Sequence, residues 1–192
     1  PQVNFPNMKY FDLTFSFKIY TDKINVIAGP SGCGKTTLLK SLLDLDNSFA
    51  IKTPLNLAAE SYYISQTDLL IPGSLEDNLF FRELTNVPEK TLSAGFELLR
   101  KLGLCNLRER DPNTDLAKVL SGGERRRLSI ARAIVSGRRW ILLDEPTAGL
   151  DHEMERKVFD LLEDYMIQHT FVVVSHADLR RKNKTPYNII NI

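Results

Sequence analysis

The sequence predicts an α/β fold, in which a parallel β-sheet is covered by helices and interrupted by an all-helical segment. Short apolar runs, typical of buried parallel strands, alternate along the chain with stretches of helical periodicity. A glycine-rich loop joins one such run, 24–28, to a helical run, while the stretch from about 74 to 118 has helical patterns alone. We therefore expect one domain, residues 1–192, with a core of about 1–73 and 119–192 around a helical segment.

The predicted elements follow one another in a regular order. Residues 12–19 alternate apolar and polar side chains, which predicts a strand with one buried face. Helices are predicted after the glycine-rich loop, from Asn86-Val87-Pro88 onward, and over 152–168, where apolar residues recur at helical spacing. The remaining predicted strands, which are short and bounded, are 61–65, 140–143, 171–175 and 187–192.

The composition is that of an ordinary globular protein, with 43% hydrophobic and 26% charged residues. A formal net charge of +1 offers no electrostatic argument for binding nucleic acid. Two cysteines cannot form a disulfide framework, which favours a reducing compartment. No apolar stretch approaches the length of a membrane-spanning helix, and no signal peptide is visible. Because the chain begins at Pro1, we expect a piece of a longer polypeptide.

The loop at residues 29–36 fits the pattern G-x-x-x-x-G-K-[ST] at every fixed position and lies between a predicted strand and a predicted helix. Its glycines let successive backbone N–H groups point into one concavity, and the helix start adds a positive dipole end. A flexible glycine loop is the less favoured interpretation, because both flanks fit. We predict a nucleoside triphosphate site formed by Gly29, Pro30, Ser31, Gly32, Cys33, Gly34, Lys35, Thr36 and Thr37.

Two acidic residues, Asp144 and Glu145, follow the predicted strand 140–143. At the carboxyl end of a buried strand they would face the same crevice as the glycine-rich loop. Asp144, together with the Thr36 hydroxyl, can hold Mg²⁺, and Glu145 can accept a proton from an attacking water. Lys35 can reach the terminal phosphates. The alternative is a pair of surface acids at a strand end, which the presence of the phosphate loop makes the less favoured interpretation.

A second pair of glycines, Gly122 and Gly123, opens another predicted helix. Ser121 and Glu124 have the spacing of a capping box, which by itself accounts for a helix start. The glycines are not explained in this way, because they cost helix stability and leave backbone N–H groups bare. A bare helix start is a second phosphate site. One ATP cannot use both sites within one small domain, so a second copy of the domain would supply one of them.

Five motifs in a fixed order resemble those of the nucleotide-binding domain of an ABC transporter, and the resemblance covers nearly all of the chain. Besides the phosphate loop they are the Q-loop, the signature, the Walker B strand end with its D-loop, and the switch histidine. In this sequence they are Tyr63-Ile64-Ser65-Gln66, Leu120 to Glu124, Leu143 to Asp151, and Val172 to His176. The resemblance implies a P-loop NTPase core with a parallel sheet and an inserted all-helical subdomain.

The resemblance also implies roles for individual residues. Gln66 is expected to sense Mg²⁺ or the lytic water and to link the site to the helical segment. His176 is expected to contact the terminal phosphate, and with Glu145, Gln66 and Lys35 to form the catalytic set. Residues Ser121, Gly122, Gly123 and Asp151 are expected to act across an interface, on the nucleotide held by a partner domain.

Adenine contact is expected from an aromatic residue well before the phosphate loop. Alignment of residues 15–19 with the second strand of the family places Phe5 there, and Tyr10 is the alternative.

Two departures from the family pattern stand out. Only 30 residues separate Lys35 from Gln66, which predicts a reduced antiparallel β subdomain, and little follows the last predicted strand.

ATP and Mg²⁺ are the cofactors that the resemblance implies. The implied partners are a second nucleotide-binding domain and a transmembrane domain, with no nucleic acid. Closing of two domains around ATP would then power transport, and the chain would lie at the cytoplasmic face of a membrane.

The stretch 69–79 resembles exporter-type domains, whereas 145–151 is equally typical of importers, so we expect the exporter type. The runner-up is a soluble ABC ATPase of translation or DNA repair. A non-catalytic regulatory domain disagrees with the intact Lys35, Asp144, Glu145 and His176. A small-molecule kinase has no use for the signature helix.

Overall fold

The computed structural model describes residues 2–10, 13–46, 57–67, 70–80, 87–111, 113–175 and 187–192. The strands are β1 Gln2–Tyr10, β2 Leu13–Tyr20, β3 Ile24–Ala28, β4 Ser61–Ile64, β5 Trp140–Asp144, β6 Thr170–Val174 and β7 Tyr187–Asn191. The helices are α1 Lys35–Ser41, α2 Leu57–Glu60, α3 Leu75–Phe80, α4 Glu89–Lys101, α5 Leu116–Val119, α6 Gly122–Val135 and α7 His152–Tyr165, with a 3₁₀ helix at Cys105–Glu109.

Five strands form one sheet in the order β4-β5-β6-β3-β7, and all of its pairings are parallel. The predicted α/β architecture is therefore confirmed. The strand bounds differ from the sequence prediction by about one residue, as expected where ends depend on hydrogen bonds rather than on apolar pattern. Ala28, Ile64, Asp144 and Val174 end their strands, so the loops that follow them emerge at one edge.

The two faces of the parallel sheet are packed against different layers. Alternate residues of β5 and β6 point to opposite sides: Ile141 and Leu143 belong to one apolar cluster, and Trp140 and Leu142 to the other. The first cluster includes residues of α3 to α7, and the second includes residues of α1, β1 and β2. Because both faces are covered, the strands read as nearly continuous apolar runs. Helices α1 and α6 therefore lie on opposite faces of the sheet.

Strands β1 and β2 form a separate two-stranded antiparallel sheet, with an irregularity between Phe5 and Met8. This is the reduced antiparallel part expected from the short interval before Gln66. The alternation in 12–19 indicated β2, but no sequence pattern had indicated β1. Between 75 and 119, the described residues form only helical elements. Among the residues that the structure describes, no helix is both long and apolar enough to cross a membrane.

Candidate nucleotide-binding site

The glycine-rich loop connects β3 to α1, as predicted. Gly32 and Gly34 have φ values of 80° and 98°, so both need the left-handed region that glycine adopts without steric cost. The Lys35 ammonium donates to the carbonyls of Gly29 and Pro30, at 3.0 and 2.8 Å, which places its charge over the loop. The loop residues and the ammonium group thus line one concavity of backbone donors and positive charge.

Gly29 has a different reason to be glycine. A Cβ atom at this position would lie 2.5 Å from the carbonyl oxygen of Ile192 and 2.7 Å from Cys33 Sγ. The Ile192 N–H donates to the Ala28 carbonyl at 3.0 Å, so the chain passes directly beside the start of the loop. Local pattern cannot show this constraint, since it comes from a residue more than 160 positions away.

Asp144, at the end of β5, meets the phosphate loop across the crevice. Its Oδ1 accepts from the Thr36 hydroxyl at 3.0 Å, and its Oδ2 accepts from the Tyr63 hydroxyl at 3.5 Å. The side chain is fully buried, and this burial is the main cause that raises the pKa of Asp144. Burial, together with the adjacent carboxylate, also raises the pKa of Tyr63 to about 12. The sequence analysis names Tyr63 only as part of the Q-loop motif, because its contact with Asp144 cannot be read from sequence.

The oxygen atoms gathered here fit a magnesium ion. A buried carboxylate whose hydrogen-bond partners are the hydroxyls of Thr36 and Tyr63 is costly unless a cation compensates its charge. Mg²⁺ typically takes one or two protein oxygens and completes its octahedron with phosphates and water.

Glu145 has an unusual backbone for a residue other than glycine, with φ of 51°. Its N–H donates to the Val174 carbonyl at 2.9 Å, and its own carbonyl accepts from the Ala148 N–H at 3.1 Å. Such a conformation costs of order 1–3 kcal/mol and persists where its surroundings hold it. Its side chain is partly exposed directly after the strand that carries Asp144.

Gln66 follows β4 and is exposed. Its backbone carbonyl accepts from Arg126 Nη2 at 2.7 Å, and Nη1 of the same guanidinium donates to the Glu145 carbonyl at 2.6 Å. The structure thus brings Gln66 and Glu145 to one side chain that the sequence analysis did not single out.

His176 lies outside the described residues. It follows β6, whose last residue, Val174, is paired with Asp144.

Ser121 begins α6 with the capping box that the sequence predicts. Its hydroxyl oxygen accepts from the Glu124 N–H at 3.2 Å, while Glu124 Oε2 accepts from the N–H and hydroxyl of Ser121 at 2.9 and 2.8 Å. These bonds, led by the one from the Ser121 N–H, lower the pKa of Glu124. Gly122 is exposed, and a Cβ there would meet no described atom within 4 Å. Packing against the residues that the structure describes therefore does not require glycine at position 122.

Asp151 caps α7 through its side chain, whose Oδ1 accepts from the Met154 N–H at 2.8 Å. That backbone hydrogen bond is the main cause that lowers the pKa of Asp151. The residue is exposed and therefore open to a partner as well. The sequence prediction for Asp151 did not include a capping role. An aspartate directly before the predicted helix start at 152 is nevertheless typical of an N-cap.

Phe5 is a predicted site residue whose buried position disagrees with contact to a nucleotide. Its ring is 1% exposed and stacks on Phe17, with centroids 4.8 Å apart and planes at 17°. A ring buried in this way has no free face for adenine, so the assignment of Phe5 to base stacking is corrected to a core role. The side chain of Tyr10 lies outside the described residues.

The protein-family model described as ABC transporter matches residues 13–148 of this chain. The chain belongs to the ABC transporter family. ABC domains of this family bind and hydrolyse ATP, so the predicted ATPase activity is confirmed at the level of the family. No support is found for the alternative role in translation or DNA repair.

Individual relatives agree with this assignment. The phosphate import ATP-binding protein PstB of Thermotoga maritima is 32% identical, over 84% of this chain and 72% of its own length. The mycobactin import ATP-binding/permease protein IrtB of Mycolicibacterium smegmatis is 35% identical, over 88% of this chain and 32% of its own length. An ATP-bound bacterial Atm1-family ABC exporter has the same fold, with a TM-score of 0.76 and 22% identity, over 99% of this chain and 37% of that one. The chain thus spans about a third of the length of these two longer proteins.

Proposed function

We propose that this ABC domain hydrolyses MgATP at a site completed by a second domain of the same kind, and that closing of the pair drives a transmembrane partner. One observation carries the proposal. The chain has two glycine-lined loops suited to phosphate, at residues 29–36 and 121–123, and their helices pack on opposite faces of the sheet. A single nucleotide cannot occupy both loops of one copy.

Within one copy, the phosphate loop and the edge of the sheet supply the first half of the site. Lys35 and the backbone N–H groups of residues 29–37 bind the phosphates, and Thr36 and Asp144 hold Mg²⁺ with help from Gln66. Glu145 accepts the proton of the attacking water. His176 is assigned to the terminal phosphate by its motif alone.

The second half of the site comes from the partner's copy of Ser121, Gly122, Gly123 and Asp151. The open space around Gly122 supports this role, since a backbone that must be approached closely by a phosphate has a reason to lack a side chain. Closing two such surfaces excludes water and surrounds the developing charge with fixed donors, which is the arrangement that accelerates phosphoryl transfer.

A transmembrane partner would receive the motion of closing and opening. The relatives with longer chains support it, since the name of IrtB joins ATP-binding and permease functions. The domain would then act at the cytoplasmic face of a membrane. The exporter type is favoured by the sequence of 69–79. Within this stretch Asn78 is buried and bonds to both the N–H and the carbonyl of Ile71, so residues 71–78 form a defined turn.

Complementation between two inactive variants tests the shared site. Lys35→Ala removes the phosphate loop's charge, and Ser121→Arg blocks the surface offered to the partner. Each variant alone should be inactive, whereas an equal mixture should recover activity, up to about half that of wild type, because only mixed pairs form a site and each mixed pair has one intact site. If the mixture stays inactive, or if Ser121→Arg alone hydrolyses ATP at the wild-type rate, the shared site is wrong.

A further inference from the structure

Arg126, on α6, joins the two residues that the proposed function places around the lytic water. Its side chain is 8% exposed. One guanidinium nitrogen, Nη1, donates to the Glu145 carbonyl at 2.6 Å, and the other, Nη2, donates to the Gln66 carbonyl at 2.7 Å. We infer that Arg126 is a positioning residue for ATP hydrolysis, which sets the spacing between Gln66 and Glu145. This inference rests on the roles proposed above for those two residues.

The type of residue suits this task. A guanidinium is planar and presents its N–H donors in a rigid fork, so two bonds from one group fix both distance and orientation. Bonds with a charged donor are about twice as strong as neutral ones, and both distances here are short. The acceptors are main-chain carbonyls. These two bonds therefore position Gln66 and Glu145 without using the side-chain oxygen atoms that the chemistry needs.

Glu145 is the residue that most needs such support. Its φ of 51° is disfavoured for any side chain with a Cβ. The Glu145 N–H donates to the Val174 carbonyl, and the Glu145 carbonyl accepts from Arg126. Strained conformations survive where several contacts determine them together, and Arg126 is a contact from outside the local turn.

Gln66 and Glu145 are far apart in sequence and follow neighbouring strands, β4 and β5. Parallel pairing aligns these strands up to Ile64 and Leu143, where the register between β4 and β5 ends. Arg126 supplies a link past the end of the ladder, and it does so from α6, the helix whose first residues form the signature. A displacement of about 1 Å at a reacting group can cost as much as 10²-fold in rate, so a change of this link should be visible in turnover.

The test compares Arg126→Gln and Arg126→Lys with Arg138→Gln. Arg138 is a matched control, because its Nη1 also donates to a main-chain carbonyl, that of Ala59 at 2.7 Å, but on the surface and away from the site. We expect Arg126→Gln to lower kcat by roughly 10- to 100-fold with little change in the affinity for ATP. Arg126→Lys keeps the charge on a single nitrogen, so its kcat should lie between those of Arg126→Gln and the wild type. Arg138→Gln should keep the wild-type kcat.

A double-mutant cycle with Glu145→Gln separates positioning from general stability. If Arg126 acts through Glu145, Arg126→Gln should slow the residual hydrolysis of Glu145→Gln far less than it slows the wild type. Far-UV circular dichroism and thermal unfolding identify variants that fail to fold, and Arg126→Lys then carries the test. A kcat within twofold of wild type in folded Arg126→Gln or Arg126→Lys, or additive losses in the cycle, would overturn the inference. If Glu145→Gln itself keeps full activity, the proposed function has failed instead.

Discussion

At the scale of single residues, the candidate site depends on polar groups held by specific partners. Asp144 is buried and accepts from two hydroxyls, and Lys35 donates to two carbonyls of its own loop. Each of these groups can exchange a protein partner for a phosphate or a cation without leaving its position. Glu145 differs, since its backbone is strained and its conformation depends on neighbours from β6 and α6.

Replacing Glu145 by glutamine removes the proton acceptor and keeps the size of the side chain. We expect Glu145→Gln to bind ATP normally and to hydrolyse it roughly 10²–10⁴-fold more slowly, which is the usual contribution of a positioned general base. Steady-state ATPase rates and nucleotide-binding titrations measure the two effects separately. Lys35→Ala should instead lose affinity for the nucleotide, because it removes a charge that faces the phosphates.

A surface carboxylate provides the control for this experiment. Glu153 pairs with Lys157 at 2.7 Å on the exposed side of α7, and Glu153→Gln should leave turnover unchanged. Near-normal turnover in Glu145→Gln would remove Glu145 from the role of general base.

At the scale of elements, Asn25 in β3 ties a turn and two strands together. Its Oδ1 accepts from the Tyr20 N–H at 2.8 Å and from Asn188 Nδ2 at 3.0 Å. Its Nδ2 lies within hydrogen-bond distance of three carbonyls, those of Tyr20, Lys23 and Phe171. The side chain is fully buried, so these bonds satisfy groups that water does not reach. They connect the β2–β3 turn to β6 and β7, and thereby support the strand that leads into the phosphate loop.

Asn25→Ala should lower the free energy of unfolding by about 1–3 kcal/mol, because it leaves buried donors and acceptors without partners. Chemical denaturation measures the loss. The same substitution at the exposed Asn113, which forms local hydrogen bonds with Asp111, should change stability by less than about 0.5 kcal/mol. Equal stabilities for the two variants would show that the Asn25 network contributes little.

At the scale of the whole molecule, we propose that the ABC domain has two phosphate surfaces and completes its site with another copy or a close relative. Helices α1 and α6 lie on opposite faces of the sheet, so closing of one chain on itself cannot bring their first residues to one nucleotide. The proposed site is therefore a property of an assembly.

Specific ATPase activity should rise with protein concentration, since only the pair is active and isolated domains of this kind are expected to associate weakly. The measurement is the rate per mole of chain over a dilution series, with sedimentation under ATP and Mg²⁺ in parallel. Ser121→Arg should remain monomeric and inactive at every concentration while still binding ATP. Activity strictly proportional to protein, from a chain that sediments as a monomer, would contradict the shared site.

The sequence by itself determined those parts of the protein that short segments control. The phosphate loop needs glycine at φ above zero at 32 and 34, and the capping box needs only Ser121 and Glu124. The alternation of buried strands and amphipathic helices likewise predicted the α/β sheet, because apolar period and element type are locally linked. With the five ordered motifs, this was enough to indicate an ABC-type ATPase before any contact was known.

Only the tertiary structure decided which distant residues meet. The contact of Tyr63 with Asp144, the approach of Ile192 to Gly29, and the two bonds of Arg126 all join segments from different parts of the chain. The same holds for Phe5, whose aromatic ring could stack on a base as easily as fill a core, until its packing against Phe17 settled the matter. Such contacts depend on how the layers pack, and local residue patterns carry no information about that.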